Sequence, residues 1–152
     1  MSDASQQHMH KLLTEAQHKY IYFLLAAAAS GIALALNRTA GTAISWGHLL
    51  LGLAILNWGM SFFCGCKHLD YFISVIYANA EYLKVQSGQE PTVGRHPQMI
   101  EAASSGIMEA VDSNIKKSIK FATWQFRLLI WGAIFYIGWH VQEMIHAANQ
   151  VS

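Results

Sequence analysis

The chain has 152 residues, 53% of them hydrophobic and only 12% charged, with a net charge of +1. A soluble domain of this size carries roughly 25% charged residues, so the deficit points to lipid as part of its surroundings. A balanced charge with no basic block excludes nucleic acid as a partner, and two cysteines placed at 64 and 66 on one helical stretch exclude a disulfide framework.

Residues 1–19 are polar and histidine-rich, and after Ser5 they can form a short helix with Leu12, Leu13 and Ala16 on one side. On its own such a segment is too polar to persist, which predicts an interfacial or bundle-packed helix. The first apolar run begins only at Tyr20, without a small-residue cleavage pattern, so no removable signal peptide is expected.

Residues 20–37 are uncharged and 18 in number. At 1.5 Å per residue they reach roughly 27 Å, the thickness of a bilayer's hydrocarbon layer, and form the first expected crossing. Ala27, Gly31 and Ala35 recur every four residues, a spacing that lets another helix backbone come close. Residues 38–41 are too few for anything but a tight connection, so residues 20–66 read as a transmembrane hairpin.

The second crossing is expected at about residues 42–66, where Trp46 and Trp58 lie in a charge-free run from Thr39 to Cys66. A single helical stripe can be followed from Thr42 to Ser87. Stepping by seven from Ser45 gives Gly52, Gly59, Cys66, Ile73, Ala80 and Ser87, mostly small; stepping from His48 gives Ile55, Phe62, Leu69, Ile76 and Leu83, mostly large. A small seam beside a bulky one is what a helix needs to lie close against another.

Residues 67–120 change character, with six basic residues (Lys67, Lys84, Arg95, Lys116, Lys117, Lys120) and six acidic ones (Asp70, Glu81, Glu90, Glu101, Glu109, Asp112). This balance predicts a cytoplasmic antiparallel helical hairpin whose turn, residues 88–97, holds both prolines, Gly88 and Gly94. Pro97 suits the first position of the returning helix, along which Ile100, Ala103, Ile107, Val111, Ile115 and Ile119 form an apolar face. The third crossing is residues 121–142, with Arg127 as its one charge and Trp124 and Trp139 near its ends; residues 143–152 are a tail. With no loop signal before it, the returning helix is expected to run from Pro97 to about Ile145.

Folding about Thr92 pairs residues whose numbers sum to about 184, which brings Lys84 to Ile100, Asn57 to Arg127 and His48 to Tyr136. Lysine and arginine concentrate in the amino-terminal segment and in residues 67–120. The expected orientation is therefore amino terminus in the cytoplasm and carboxyl terminus outside, in a bacterial inner membrane. The fold class is an all-α integral membrane protein with three transmembrane helices, the second and third extended into the cytoplasmic hairpin.

Candidate sites follow from these placements. Ser45, His48, Gly52, Gly59 and Phe62 are the pore or helix-packing candidates, with Phe62 as a hydrophobic constriction around a symmetry axis. Arg127 has three readings: first, snorkelling to the inner interface; second, an intramembrane polar pair with Asn57, or a pair with Gln125, since an arginine at the hydrocarbon edge needs a polar neighbour; and last, lining an ion path. Cys64 and His68 share a helix face while Cys66 looks away, giving two potential metal ligands where a structural zinc site takes four. His48 and His140, on the same side of the second and third crossings, are the candidate axial haem ligands of the less favoured reading; histidines hydrogen-bonded at the outer interface are the default, and no cofactor is otherwise expected. No nucleophile elbow, phosphate loop or metalloprotease motif occurs, so an enzyme is not expected.

Three crossings and a short hairpin bury little surface in one copy, which predicts a homo-oligomer in the bilayer. The leading functional expectation is a membrane channel or membrane-perturbing effector, of the kind used in bacterial stress or antiviral defence. Its hairpin would receive a cytoplasmic protein or small-molecule signal. The rivals are a non-conducting adaptor that docks a soluble partner, and a haem-carrying redox subunit.

Overall fold

A computed structural model describes residues 3–41 and 46–151, and the regular structure among them is entirely helical. In chain order there are α1 (Asp3–Thr39), a 3-10 turn (Trp46–His48), α2 (Leu49–Gln86) and α3 (Pro97–Val151). All three α-helices are long and apolar enough to cross a membrane.

The polar amino-terminal segment is not a separate helix, because α1 runs through it without a break. Nothing between Asp3 and Ser30 is glycine or proline, so no residue there interrupts helical hydrogen bonding. The helix stops where the Thr39 hydroxyl donates to the carbonyls of Ala35 and Leu36, both at 3.2 Å, and Gly41 follows with φ of +83°.

The α-helical part of α2 begins at Leu49 rather than Thr42, which corrects the expected single helix from Thr42 to Ser87. His48 belongs to the tighter 3-10 turn, which Gly47 occupies at little steric cost. Residues 42–45, Ser45 among them, lie outside the described residues. At the other end the helix stops where Ser87 and Gly88 predict. The Gly88 amide donates to Val85 at 3.1 Å, the Gln89 amide donates to Lys84 at 3.0 Å, and Gly88 has φ of +68°. This paired closure satisfies two of the carbonyls left over at a helix end. Helix α3 starts at Pro97, with the Ile100 amide donating to His96 at 3.0 Å.

The chain divides into two compact units, one of Met1–Gly65 with Trp124–Ser152 and the other of Cys66–Thr123. In the first, α1 buries Ile21, Leu24, Ala28 and Ala35, and α2 buries Leu51, Ala54, Trp58 and Ser61. From α3 come Gln125, Gly132 and Trp139. In the second unit the buried residues are His68, Val85, Ser104, Val111 and Ser118. Its three ion pairs, Lys67 with Asp70, Lys84 with Glu81 and Lys116 with Asp112, are each within one helix and exposed. Such pairs add little stability and keep this surface wet.

Burial along α2 follows a seven-residue step, but not the expected one. Leu51, Trp58 and Gly65 are buried, as are Ala54, Ser61 and His68, whereas Gly52, Gly59, Cys66, Ile73 and Ala80 are exposed. The packing seam thus lies one residue toward the amino terminus of both predicted seams. On α3, Ser104, Val111, Ser118, Gln125, Gly132 and Trp139, each seven apart, are all buried. The expected apolar face drifts off this line, and Ile115 and Ile119 are 40% and 60% exposed.

Candidate functional site

The interior of the first unit mixes large apolar residues (Ile21, Leu24, Leu51, Trp139) with small and polar ones (Ala28, Ala54, Ser61, Gln125) around Trp58. Trp58 of α2 lies in a slot between Gly31 of α1 and Gly132 of α3. A Cβ placed on Gly31 would come within 2.9 Å of the indole, and one on Gly132 within 2.5 Å. Its indole N–H donates to the Leu129 carbonyl at 3.2 Å, and Tyr136 lies 5.6 Å away, centroid to centroid. Two glycines at this level are therefore what lets three backbones close on a tryptophan.

One turn further along α2, the Ser61 hydroxyl donates to the backbone carbonyl of Gln125 at 2.7 Å. The Gln125 side chain is fully buried, and neither its Nε2 nor its Oε1 has a hydrogen-bond partner. It rests against Gly65, where a Cβ would lie 2.5 Å from Nε2 and 2.6 Å from a Leu25 methyl. Leaving a buried carboxamide unpaired costs roughly 1–3 kcal/mol, so this position is energetically marked. Sequence reading put Gly31 on a face that admits a close neighbour, and the structure sets Trp58 there; it considered Gln125 only as a partner of Arg127, and it missed the roles of Trp58, Gly65 and Gly132. The available signal was the seven-residue series through Gln125 on α3, which mixes serine, valine, glutamine, glycine and tryptophan and so has no hydropathy contrast.

Contacts between α2 and α3 in this unit are offset from the expected register. Trp58 meets Leu129 where Phe126 was expected, and Ser61 meets Gln125 where Thr123 was expected. Asn57 and Arg127 are not joined by a hydrogen bond. The Asn57 amide donates to Leu53 of its own helix at 2.8 Å, and the Arg127 guanidinium lies 5.9 Å from the Trp124 ring centre. That bond ties one amide hydrogen of Asn57 to its own helix.

Among the other candidates, Gly52 and Gly59 are exposed, and a Cβ on either would meet nothing within 4 Å. Phe62 is 41% exposed. Cys64 is buried and Cys66 exposed, and among the described residues no three of His, Cys, Asp and Glu group together. His48 is half-buried in the 3-10 turn, and His140 is exposed beside the Trp139 ring. An open groove bounded by Lys11, Glu15, His18 and Tyr22 is formed by α1 alone and lacks an opposing wall.

In the second unit, His68 Nδ1 lies 2.9 Å from both the carbonyl and the hydroxyl oxygen of Ser118. With Nδ1 protonated it donates to the carbonyl, while the hydroxyl donates to the His68 carbonyl at 3.5 Å. The Gln86 amide donates to the Ser104 hydroxyl at 3.0 Å, and Tyr71 stacks on Phe121 with centroids 5.6 Å apart. His68 is thus a helix-joining residue, and His68→Ala is expected to destabilise the chain by roughly 1–3 kcal/mol through the buried groups it strands. A shift in thermal unfolding in detergent checks this. An unchanged midpoint would show that Ser118 needs no partner.

Comparison with protein-family models, with curated proteins and with solved structures finds no match to this chain.

Proposed function

We propose that the chain is an integral membrane protein that crosses the bilayer three times and assembles into a homo-oligomeric channel. The supporting observation is that the unit Met1–Gly65 with Trp124–Ser152 is apolar outside as well as inside. Its interior joins Ile21, Leu24, Leu51, Trp58 and Trp139 to small and polar residues such as Ala28, Ala54, Ser61 and Gln125, yet large apolar side chains also cover its outside. Tyr22, Phe23, Leu56, Ile130, Trp131 and Ile137 are each between 45% and 68% exposed. Hydrocarbon is the solvent that such an exterior suits, and polar residues inside a bilayer mark functional positions by default.

In this reading residues 67–120 form a helical hairpin on the cytoplasmic side, placed there by its six basic residues. Helices α2 and α3 continue from the crossings into the hairpin, so a signal or partner bound there would move the crossings directly. The gate in this reading lies near His48 to Phe62.

Purified protein in planar bilayers is expected to pass ions, and Gly59→Leu and Phe62→Ala are expected to change that current severalfold. Silence in every oligomeric preparation would overturn the channel. It would leave the non-conducting adaptor, which Met99, Met108, Ile115 and Ile119, exposed on the charged half of α3, favour as a docking face.

A further inference from the structure

Arg127 is the only Lys, Arg, Asp or Glu in residues 121–142, and it is exposed on the unit Met1–Gly65 with Trp124–Ser152. Packing inside that unit fixes its level. The Trp58 ring occupies the space over both Gly31 and Gly132, and Leu25 and Gln125 both lie over Gly65. Helices α1 and α3 therefore run parallel here, and Arg127 is level with about Ala27. That is roughly 12 Å along a helix past Lys19, at 1.5 Å per residue, within the uncharged run from Tyr20 to Asn37. On α2, the bonds from Ser61 to Gln125 and from Trp58 to Leu129 put it level with Gly59 and Met60, also in an uncharged run.

A guanidinium stays charged, so at this level it needs an anion. The surface around it offers none: Trp124, Ile130, Trp131 and Ile134 are its neighbours along that face of α3, each between 45% and 54% exposed. The sequence has no Asp or Glu between Glu15 and Asp70, or between Asp112 and Glu143. Neither this chain nor a second copy lying at the same depth therefore brings a carboxylate to Arg127. The side chain turns back toward the Lys19 end of the unit, with its guanidinium 5.9 Å from the ring centre of Trp124, one turn earlier on α3.

We propose that Arg127 holds the phosphate of an anionic phospholipid from the leaflet on the Lys19 side, with the Trp124 indole beside the guanidinium. The inference rests on the bilayer crossing proposed above, not on conduction, and deepens it by naming the lipid that the outside of α3 takes. The planar fork of a guanidinium matches two phosphate oxygens, and tryptophan suits the layer where headgroups meet acyl chains. A headgroup with net negative charge fits better than a zwitterionic one, whose own ammonium already balances its phosphate.

The full chain is reconstituted in vesicles of phosphatidylglycerol and phosphatidylcholine in equal amounts. After an alkaline carbonate wash it is taken into mild detergent, and the phospholipid it keeps is counted by native mass spectrometry. The natural chain is expected to keep severalfold more phosphatidylglycerol than phosphatidylcholine. Arg127→Gln is expected to abolish that preference, and Arg127→Lys to lower it, because an ammonium lacks the fork. Arg95→Gln, which removes the same charge from the turn before α3, is expected to leave it intact.

Equal retention of the two lipids by the natural chain would overturn the proposal without reference to any variant, and so would an Arg127→Gln chain that keeps the preference. A loss in Arg95→Gln as large as in Arg127→Gln would overturn it too, by making the preference one of total charge. Release of the chain by carbonate would remove the crossing and this site with it. A chain that stays in the vesicles but shows no preference would lose the site alone.

Discussion

Trp58→Ala is expected to destabilise the protein by about 3–5 kcal/mol, the range for truncating a large buried aromatic. The side chain is 6% exposed and held on two sides by glycine, Gly31 from α1 and Gly132 from α3. In the bilayer proposed above, helices gain nothing from hiding apolar surface from water, so van der Waals fit and interhelical hydrogen bonds would do the joining. Trp58 provides both, filling the slot and donating to Leu129. Alanine leaves the slot empty and withdraws the donor. Trp58→Phe keeps most of the filling and gives up the bond, for about 1 kcal/mol. Gly132→Ala forces a Cβ toward the ring and is expected to cost about 1–3 kcal/mol. Since the two residues touch, combining Gly132→Ala with Trp58→Phe should cost less than the sum of the separate losses. Unfolding by sodium dodecyl sulfate in mixed micelles measures each of these. If Trp58→Ala moved the midpoint no more than Trp131→Ala on the exposed side, the slot would not be what joins the helices.

The features that sequence makes legible here are those with a strong local cause. Absence of charge over 18 residues marks a helix fit for a membrane, and Ser87 and Gly88 stop α2 because a glycine can take the left-handed conformation the closure needs. Pro97 opens α3 because its missing amide proton would have no partner at a helix start. What stays illegible is which side of a helix faces in. In water, polarity would decide, whereas in the proposed bilayer both Gly52 and Leu51 are tolerated. A seam shifted by one residue, 52, 59 and 66 in place of 51, 58 and 65, therefore carries no hydropathy penalty. Shape decides instead, through Trp58 needing Gly31 and Gly132, and those partners are 27 and 74 residues away in the chain. Position along a helix likewise does not reveal that the Asn57 amide donates four residues back in its own helix.

Gln125→Leu is expected to raise stability by about 1–3 kcal/mol, because it removes a fully buried carboxamide whose nitrogen and oxygen both lack partners while keeping much of its volume. The neighbouring Gly65→Ala should do the opposite. Its Cβ would fall 2.5 Å from Gln125 Nε2 and 2.6 Å from a Leu25 methyl, closer than atoms can pack, at a cost of about 1–3 kcal/mol. Much of that cost should vanish when Gln125→Ala opens the space, a non-additivity that unfolding of the single and double variants would measure. A loss of stability in Gln125→Leu would show that the carboxamide holds a polar partner, such as an internal water, within the helices. A gain raises a sharper question, since a residue that weakens the fold persists when the chain uses it for something else. If Gln125→Leu strengthens the protein and also silences the bilayer current, its polarity serves conduction. If the current is unchanged, Gln125 has no part in any conducting path.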